Sequence, residues 1–197
     1  MSTQENQVQT HIEIQIDNRN RQTVFFRWIL AAPVVVFAWG FTQAVHWGIT
    51  TSVIVVPVVL ALLVRGVYPS YALTYNHAIT ELLTRIGAYV FLLTDDYPSI
   101  ERNPKVAVIF PDVEGGKKLS RVLPLVKWIF AIPLVIVGLL YSVLAVLATI
   151  FAWIITSATG TYPAAAIEIV YGTLRYWNRV YGYAVGLVTD EYPSFTL

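Results

Sequence analysis

The sequence predicts a mainly α-helical membrane protein with four transmembrane helices in two hairpins and an internal pseudo-twofold repeat. Of its 197 residues, 56% are hydrophobic and only 13% are charged, whereas a typical soluble domain carries roughly 25% charged residues. The apolar residues are gathered in long runs, a distribution typical of membrane-spanning segments. The phrase LLTDDYPSI at 92–100 returns as LVTDEYPSF at 187–195, which indicates that a module is repeated.

Other matched features occur in the same order along both halves of the chain. RWILAAPVVV at 27–36 aligns with KWIFAIPLVI at 127–136, and Tyr-Pro-Ser at 68–70 aligns with Tyr-Pro-Ala at 162–164. We therefore predict a tandem duplication. Its parts are a flexible N-terminus at 1–10, a first module at 11–101 and a second module at 102–197.

Each module is predicted to open with a short strand, since Ile12, Ile14 and Ile16 alternate with polar residues. In the first module the apolar stretch divides into spans near 24–42 and 50–66. In the second module it runs nearly unbroken from 122 to 157. One helix of about 36 residues would be about 54 Å long, against a hydrocarbon core of about 30 Å. We therefore predict a hairpin turn near 138–142.

Interfacial amphipathic helices are predicted at about 70–93 and 164–188. Both are rich in Tyr, Leu and Val but also carry charges, and a charge at the bilayer centre costs about 2.5–3.5 kcal/mol. We therefore expect both helices to lie in the membrane interface. The two opening strands and the stretches after each Tyr-Pro-Ser are expected to form a small cytoplasmic sheet, with PSFTL at 193–197 as its final strand.

The charges predict an orientation in the membrane. All 13 Lys and Arg residues and all 12 acids lie outside the two predicted hairpin tips, so the positive-inside rule places both termini in the cytoplasm. The net charge of +1 argues against binding to nucleic acid. The lack of cysteine excludes disulfides and thiolate metal sites.

The segment at 162–197 resembles DUF4389, a bacterial membrane family of undefined function. The resemblance rests on Tyr-Pro followed by a helix with an Arg-aromatic pair, and on a closing Thr-Asp-Glu-Tyr-Pro phrase. The matching residues are Arg175, Tyr176, Arg179, Val180, Tyr183, Thr189, Asp190, Glu191, Tyr192, Pro193 and Phe195. The first module is a degenerate copy, with Glu81 where the family has Arg. The resemblance implies membrane location and the module, and it implies no activity. Together with the four predicted spans, we expect a multi-pass protein of the bacterial inner membrane.

Two acidic clusters are the best candidates for chemistry, Asp95 with Asp96 and Asp190 with Glu191. Four carboxylates from two modules could hold Mg²⁺ or Ca²⁺ through oxygen ligands. The alternative, which we favour, is that each phrase ends a helix and its Asp accepts backbone hydrogen bonds. Acids at a helix C-terminus oppose the helix dipole, so we expect a cation to compensate them, most simply Arg85 or Arg179.

Glu81 aligns with Arg175 in the repeat, and two pairings are open to it. Opposite charges at equivalent positions could pair across the interface between the modules. Glu81 could instead pair with Arg85 one helical turn later in the same helix.

The sequence contains no Gly-rich phosphate loop, HExxH or GxSxG motif, so we predict neither an enzyme nor a bound cofactor. The expected function is a non-catalytic scaffold or accessory subunit of a membrane complex. Its expected partners are membrane lipids and either a membrane protein or further copies of itself. The alternatives are a lipid-handling or small-solute transport protein with its pathway at the module or oligomer interface, and a metal-dependent membrane enzyme that uses the acidic clusters.

Overall fold

The computed structural model describes residues 6–42 and 50–197, with side chains described for 6–40 and 55–197. The predicted first hairpin tip, which contains His46, and residues 1–5 of the predicted flexible N-terminus lie outside this part. The elements are β1 (Gln9–Ile12), α1 (Arg21–Phe25), α2 (Arg27–Thr42), α3 (Thr50–Arg65), α4 (Ser70–Val90), β2 (Val106–Ile109), α5 (Lys127–Thr159) and α6 (Ala164–Ala184). They form three layers, with the small sheet on one side and α2 and α5 on the other.

The sheet consists of β1 and β2 paired antiparallel, with Gln9 opposite Ile109 and Ile12 opposite Val106. The prediction that the two opening strands pair is therefore confirmed. β1 begins inside the segment predicted to be a flexible N-terminus, and Val8 before it is buried. The strand ends at Ile12, short of Ile14 and Ile16. The chain then turns towards the end of α4, where the backbone N–H of Gln15 donates to the Leu93 carbonyl at 2.9 Å.

The stretches after each Tyr-Pro-Ser, including PSFTL at 193–197, were predicted as strands, and this prediction is wrong. The structure places coil there. Arginine side chains bind backbone carbonyl oxygens of these stretches. Arg85 donates to the Ser99 carbonyl at 3.0 Å, and Arg179 donates to the Thr196 carbonyl.

The middle layer is the pair α4 and α6, which cross with opposite chain directions. Near the crossing, the Asn178 amide donates to the Thr84 hydroxyl at 3.0 Å. At both ends of the pair, a tyrosine hydroxyl links the start of one helix to the end of the other. Tyr68, before α4, donates to the Gly186 carbonyl after α6, and Tyr162, before α6, donates to the Phe91 carbonyl after α4 at 3.3 Å. Both predicted amphipathic helices are therefore present as helices.

The outer layer places α2 on α4 and α5 on α6, with α5 and α6 antiparallel along most of their length. The predicted hairpin near 138–142 is wrong, because α5 is one helix of 33 residues. Gly138 lies against the Trp177 ring, where an added Cβ would be 2.8 Å away. Ser142 donates to the Gly138 carbonyl at 2.8 Å and accepts from the Trp177 indole at 2.9 Å. These small residues make a helix–helix contact instead of a turn.

The outer face of this layer is apolar and exposed. Ile29, Val36 and Val64 are 71%, 70% and 71% exposed, and Leu140 in the middle of α5 is 62% exposed. Among the described residues, α5 alone is long and apolar enough to cross a membrane, and 27–40 and 55–65 are shorter apolar helical segments. Helices α2 and α3 occupy the two stretches predicted near 24–42 and 50–66, but the described part of the chain supports one candidate membrane-spanning helix and not the predicted four.

Candidate functional site

Asp95, in the turn segment that follows α4, is bound by two buried arginines. Arg19 Nη2 lies 2.8 Å from its carboxylate and Arg27 makes a second ion pair with it, both guanidinium groups being 0% exposed. The backbone N–H of Asn20 also donates to Asp95 at 3.0 Å. Arg27 in turn donates to the Thr94 carbonyl at 3.0 Å and lies over the Tyr89 ring at 4.2 Å. The start of α2 is therefore held against the end of α4.

Asp190, in the segment that follows α6, has a similar set of partners. Lys127 Nζ lies 2.7 Å from its carboxylate and is 0% exposed, and the backbone N–H of Ser120 donates to it. Lys127 also donates to the Thr189 carbonyl at 2.6 Å and lies over the Tyr183 ring at 5.1 Å. The start of α5 is therefore held against the end of α6, as α2 is held against α4.

The protonation of Asp95 follows from this environment. Burial by itself would raise the pKa of the carboxyl. The hydrogen bonds from Arg19 and from the Asn20 backbone, together with the charges of Arg19 and Arg27, outweigh burial and lower the pKa of Asp95 below its ordinary value of 3.8. Asp95 is therefore ionised throughout the physiological pH range.

The other two acids of the clusters differ in their surroundings. Asp96 pairs with Lys105 at 2.6 Å at the surface, where both side chains are about half exposed. Glu191 has no ion-pair partner within 4.0 Å among the described residues. The two clusters also lie at opposite ends of the α4–α6 pair, so they do not form one shared cation site. In the described part of the chain, no group of three or more His, Asp or Glu side chains is arranged to hold a metal.

The expectation that Arg85 or Arg179 compensates the acidic clusters is wrong. Arg85 binds the carbonyls of Ser99 and Ile100, and Arg179 binds the Thr196 carbonyl. These carbonyls lie in the coil that follows each acidic phrase, so each arginine holds the next stretch of chain against its helix. Arg19, Arg27 and Lys127 neutralise the aspartates instead.

Glu81 lies buried within its own half of the chain. Its carboxylate is 3.3 Å from Arg102 and 3.8 Å from both Arg85 and His77. The local pairing with Arg85 is therefore present, and the alternative pairing with Arg175 is not formed. Arg175 lies over the Tyr171 ring of its own helix at 5.4 Å.

Two cavities flank the middle layer at corresponding places. The first has a volume of about 1000 Å³ and lies between α4 and the chain around β2; Glu81, Arg85 and Arg102 line it. The second has a volume of about 220 Å³ and lies between α6 and the chain around β1; Arg175 and Arg179 line it.

Comparison with known proteins gives one match. The model of the family described as a domain of unknown function (DUF4389) matches residues 124–196, a little over a third of the 197 residues. The match supports the resemblance in the second half of the chain and covers a single copy. No curated protein and no solved structure matches the chain.

Sequence reasoning missed the buried cations of the two ion-pair sites. A signal for them was present, because Arg27 and Lys127 occupy the same position in RWILAAP and KWIFAIP. Asp95 and Asp190 likewise occupy the same position in their phrases. A cation and an acid retained together in both halves predict a pair. Arg19 has no cation at the corresponding place and gives no such signal.

Proposed function

We propose that this protein is a non-catalytic, membrane-embedded scaffold or accessory subunit of a membrane complex. The observation that carries the proposal is the layer order. Exposed apolar faces of α2, α3 and α5 cover one side of the fold, and the small sheet lies on the other side. Buried ion pairs fix the starts of α2 and α5 on the middle layer. The apolar side suits the lipid of a membrane, and the sheet side remains available to a partner at the cytoplasmic surface.

The best candidates for catalysis have structural partners, which supports a non-catalytic role. Asp95 and Asp190 are bound to cations and to backbone N–H groups that fix the starts of α2 and α5. A metal at either carboxylate would have to displace a buried cation. The metal-dependent enzyme considered from the sequence thus has little support.

We further propose that the chain arose by tandem duplication and folds with pseudo-twofold symmetry. The matched ion pairs of Asp95 and Asp190 support this. So do the reciprocal hydrogen bonds of Tyr68 and Tyr162, each of which reaches the end of the other half's helix. The left-handed backbone conformations of Leu92 and Leu187, with φ of 65° and 55°, also match.

In the topology that we propose, the outer layer lies along the membrane surface. By the positive-inside rule, the Lys and Arg residues at both ends of each apolar stretch lie on the cytoplasmic side of the membrane. The ends of a 33-residue helix are about 50 Å apart, so α5 satisfies that condition only when it lies in the membrane plane. Moreover, α6 runs along α5 with Glu168, Arg175 and Arg179, which hydrocarbon would penalise. This arrangement replaces the four predicted crossings with embedding in the cytoplasmic leaflet of the inner membrane.

Cysteine labelling tests the topology directly, because the chain has no cysteine of its own. Single variants Lys117→Cys and Thr161→Cys place an exposed thiol beyond each end of α5. A membrane-impermeant maleimide is applied to spheroplasts and to inside-out vesicles. Labelling of both thiols in inside-out vesicles only is the expected result. Labelling of the two from opposite sides would mean that α5 crosses the bilayer.

The scaffold role is tested by purification of the tagged full chain in mild detergent at native expression, followed by native mass spectrometry. A protein partner at fixed stoichiometry is the expected result. A homo-oligomer that carries only lipid or solute would overturn the scaffold role. It would favour the second candidate, a lipid-handling or small-solute transport protein with its pathway at the module or oligomer interface.

A further inference from the structure

The cavities beside α4 and α6 differ in charge although they occupy corresponding places. In the first cavity Glu81 lies close to Arg85 and Arg102, and its carboxylate partly neutralises them. In the second cavity Arg175 takes the place of Glu81 in the aligned sequences, and Arg179 takes the place of Arg85. The remaining described lining residues are uncharged: Gln7, Val8, Gln9 and Thr10.

The two arginines of the second cavity have no carboxylate partner in the described part of the chain. No Asp or Glu oxygen of the described residues lies within 4.0 Å of Arg175 or Arg179. Arg179 is only 9% exposed, and its buried Nε has no hydrogen-bond acceptor in the described part of the chain. Its Nη2 donates to the Thr196 carbonyl. A buried guanidinium with an unused donor and no counter-charge is costly in a folded protein.

The charge of Arg179 is disfavoured further by its surroundings. Burial lowers the pKa of the guanidinium, and the neighbouring charge of Arg175 lowers it again. An arginine nevertheless stays protonated at neutral pH. The described lining of the cavity therefore carries two positive charges, and an anion inside it would relieve both.

We propose that the cavity between α6 and β1 is a binding site for a phosphate-type oxyanion, held by Arg175 and Arg179. The planar fork of a guanidinium donates two parallel hydrogen bonds to a phosphate, which suits this ligand better than a spherical halide. Thr10 adds a hydroxyl donor, because its oxygen already accepts from the Asn178 amide at 2.9 Å and its own proton remains available. The volume of about 220 Å³ holds a phosphoryl group with some water.

The same chemistry can come from two sources, the headgroup of an anionic phospholipid or free phosphate from the cytoplasm. The site does not depend on the scaffold role, because binding is measured on the purified protein alone. A missing protein partner would therefore leave the anion site standing, and a missing anion site would leave the scaffold standing.

The test uses the purified full chain in a neutral detergent. Inorganic phosphate is titrated by calorimetry at constant ionic strength, with chloride as the reference salt. We expect saturable binding of phosphate with one site per chain. In a second arm the protein is reconstituted into phosphatidylcholine nanodiscs with or without phosphatidic acid, and competition between the lipid and added phosphate is measured.

The matched variant is Arg175→Glu, which gives the second cavity the charge arrangement that the first cavity already tolerates. It should fold like the wild type and bind phosphate at least about tenfold more weakly, since it replaces a charge-assisted donor with a repelling carboxylate. The reverse variant, Glu81→Gln, removes the carboxylate beside Arg85 and Arg102. We expect it to raise the stoichiometry from one phosphate to two.

Each outcome decides the proposal. Phosphate binding that Arg175→Glu abolishes supports the site with free phosphate as ligand. If the protein binds phosphatidic acid in nanodiscs but not free phosphate, and Arg175→Glu loses that binding, the site is supported with a lipid headgroup as its ligand. Equal affinity in the wild type and Arg175→Glu, or no saturable binding in either arm, would overturn it.

Discussion

The ion pair at Asp95 allows a quantitative prediction of stability. Asp95→Asn removes the negative charge that neutralises Arg19 and Arg27, both 0% exposed, and keeps the shape of the side chain. Breaking a buried ion pair by removing one partner costs about 3–5 kcal/mol. We expect the lower end, about 3 kcal/mol, because the amide oxygen can still accept from the Asn20 backbone N–H.

That free energy corresponds to a measurable change in melting temperature. For a chain of this size, each kcal/mol shifts the midpoint by about 2–4 °C, so Asp95→Asn should melt roughly 6–12 °C below the wild type. The measurement is thermal unfolding in detergent, followed by circular dichroism at one fixed heating rate.

The neighbouring acid provides the matched control. Asp96→Asn removes the same charge at the next position, but its pair with Lys105 is about half exposed, and exposed pairs contribute only about 0–1 kcal/mol. Its melting temperature should lie within about 4 °C of the wild type. If the two variants were equally destabilised, or if Asp95→Asn melted like the wild type, burial of the arginines would not be the cause.

Lowering the pH should remove the stabilisation that the Asp95 charge gives the wild type. Because the folded protein depresses the pKa of Asp95 below 3.8, its contribution is complete above that unfolded-state value. It is then lost as the pH falls through the lower folded-state pKa. Between about pH 5 and about pH 7 Asp95 is ionised in both the folded and the unfolded state. The difference in stability between the wild type and Asp95→Asn should therefore be constant in this range and shrink below about pH 4. A difference that grew on acidification would contradict this sign.

Two further predictions concern contacts between elements and use the same melting assay. Tyr162→Phe should cost about 1 kcal/mol, since it removes one hydrogen bond to a carbonyl of the other half. Tyr68→Phe should cost more, about 2 kcal/mol, because its hydroxyl donates to the Gly186 carbonyl and also accepts from the buried Asn76 amide at 3.2 Å. A variant of either tyrosine that melted like the wild type would contradict its role in joining the halves. Gly182→Ala should destabilise by about 1–3 kcal/mol, because the new methyl would meet Val8 before β1. Gly40→Ala, where no described atom beyond the adjacent residues and the helix's own backbone lies within 4 Å of the new methyl, should be neutral or slightly stabilising.

The sequence was most informative where the spacing of apolar residues decides the local structure. The alternation at Ile12, Ile14 and Ile16 predicts a strand, and β1 overlaps it at its end, although β1 begins at Gln9 and stops at Ile12. Its partner β2 was expected from the repeat, which places a strand at the start of each module. The charged but apolar stretches near 70–93 and 164–188 predict amphipathic helices, and both are present. In these elements the periodicity of burial and the local backbone preference agree.

The continuous α5 could not be predicted by the rule that we applied. That rule limits a helix to the thickness of the hydrocarbon core, and it holds only when the helix crosses the bilayer. The spacing of small residues at Gly138, Ala145, Thr149, Ala152 and Thr156 is the better indicator, since these residues recur on one helical face and are buried against the fold. A turn would have interrupted that face.

The exchange of tyrosines between the two halves has a consequence for assembly. The hydroxyl that closes the end of α4 belongs to the second half, and the one that closes the end of α6 belongs to the first. A chain cut between 101 and 102 would therefore have to find its complement by diffusion. Its melting temperature would rise with protein concentration, whereas in the intact chain the linker supplies the second half at a fixed, high effective concentration.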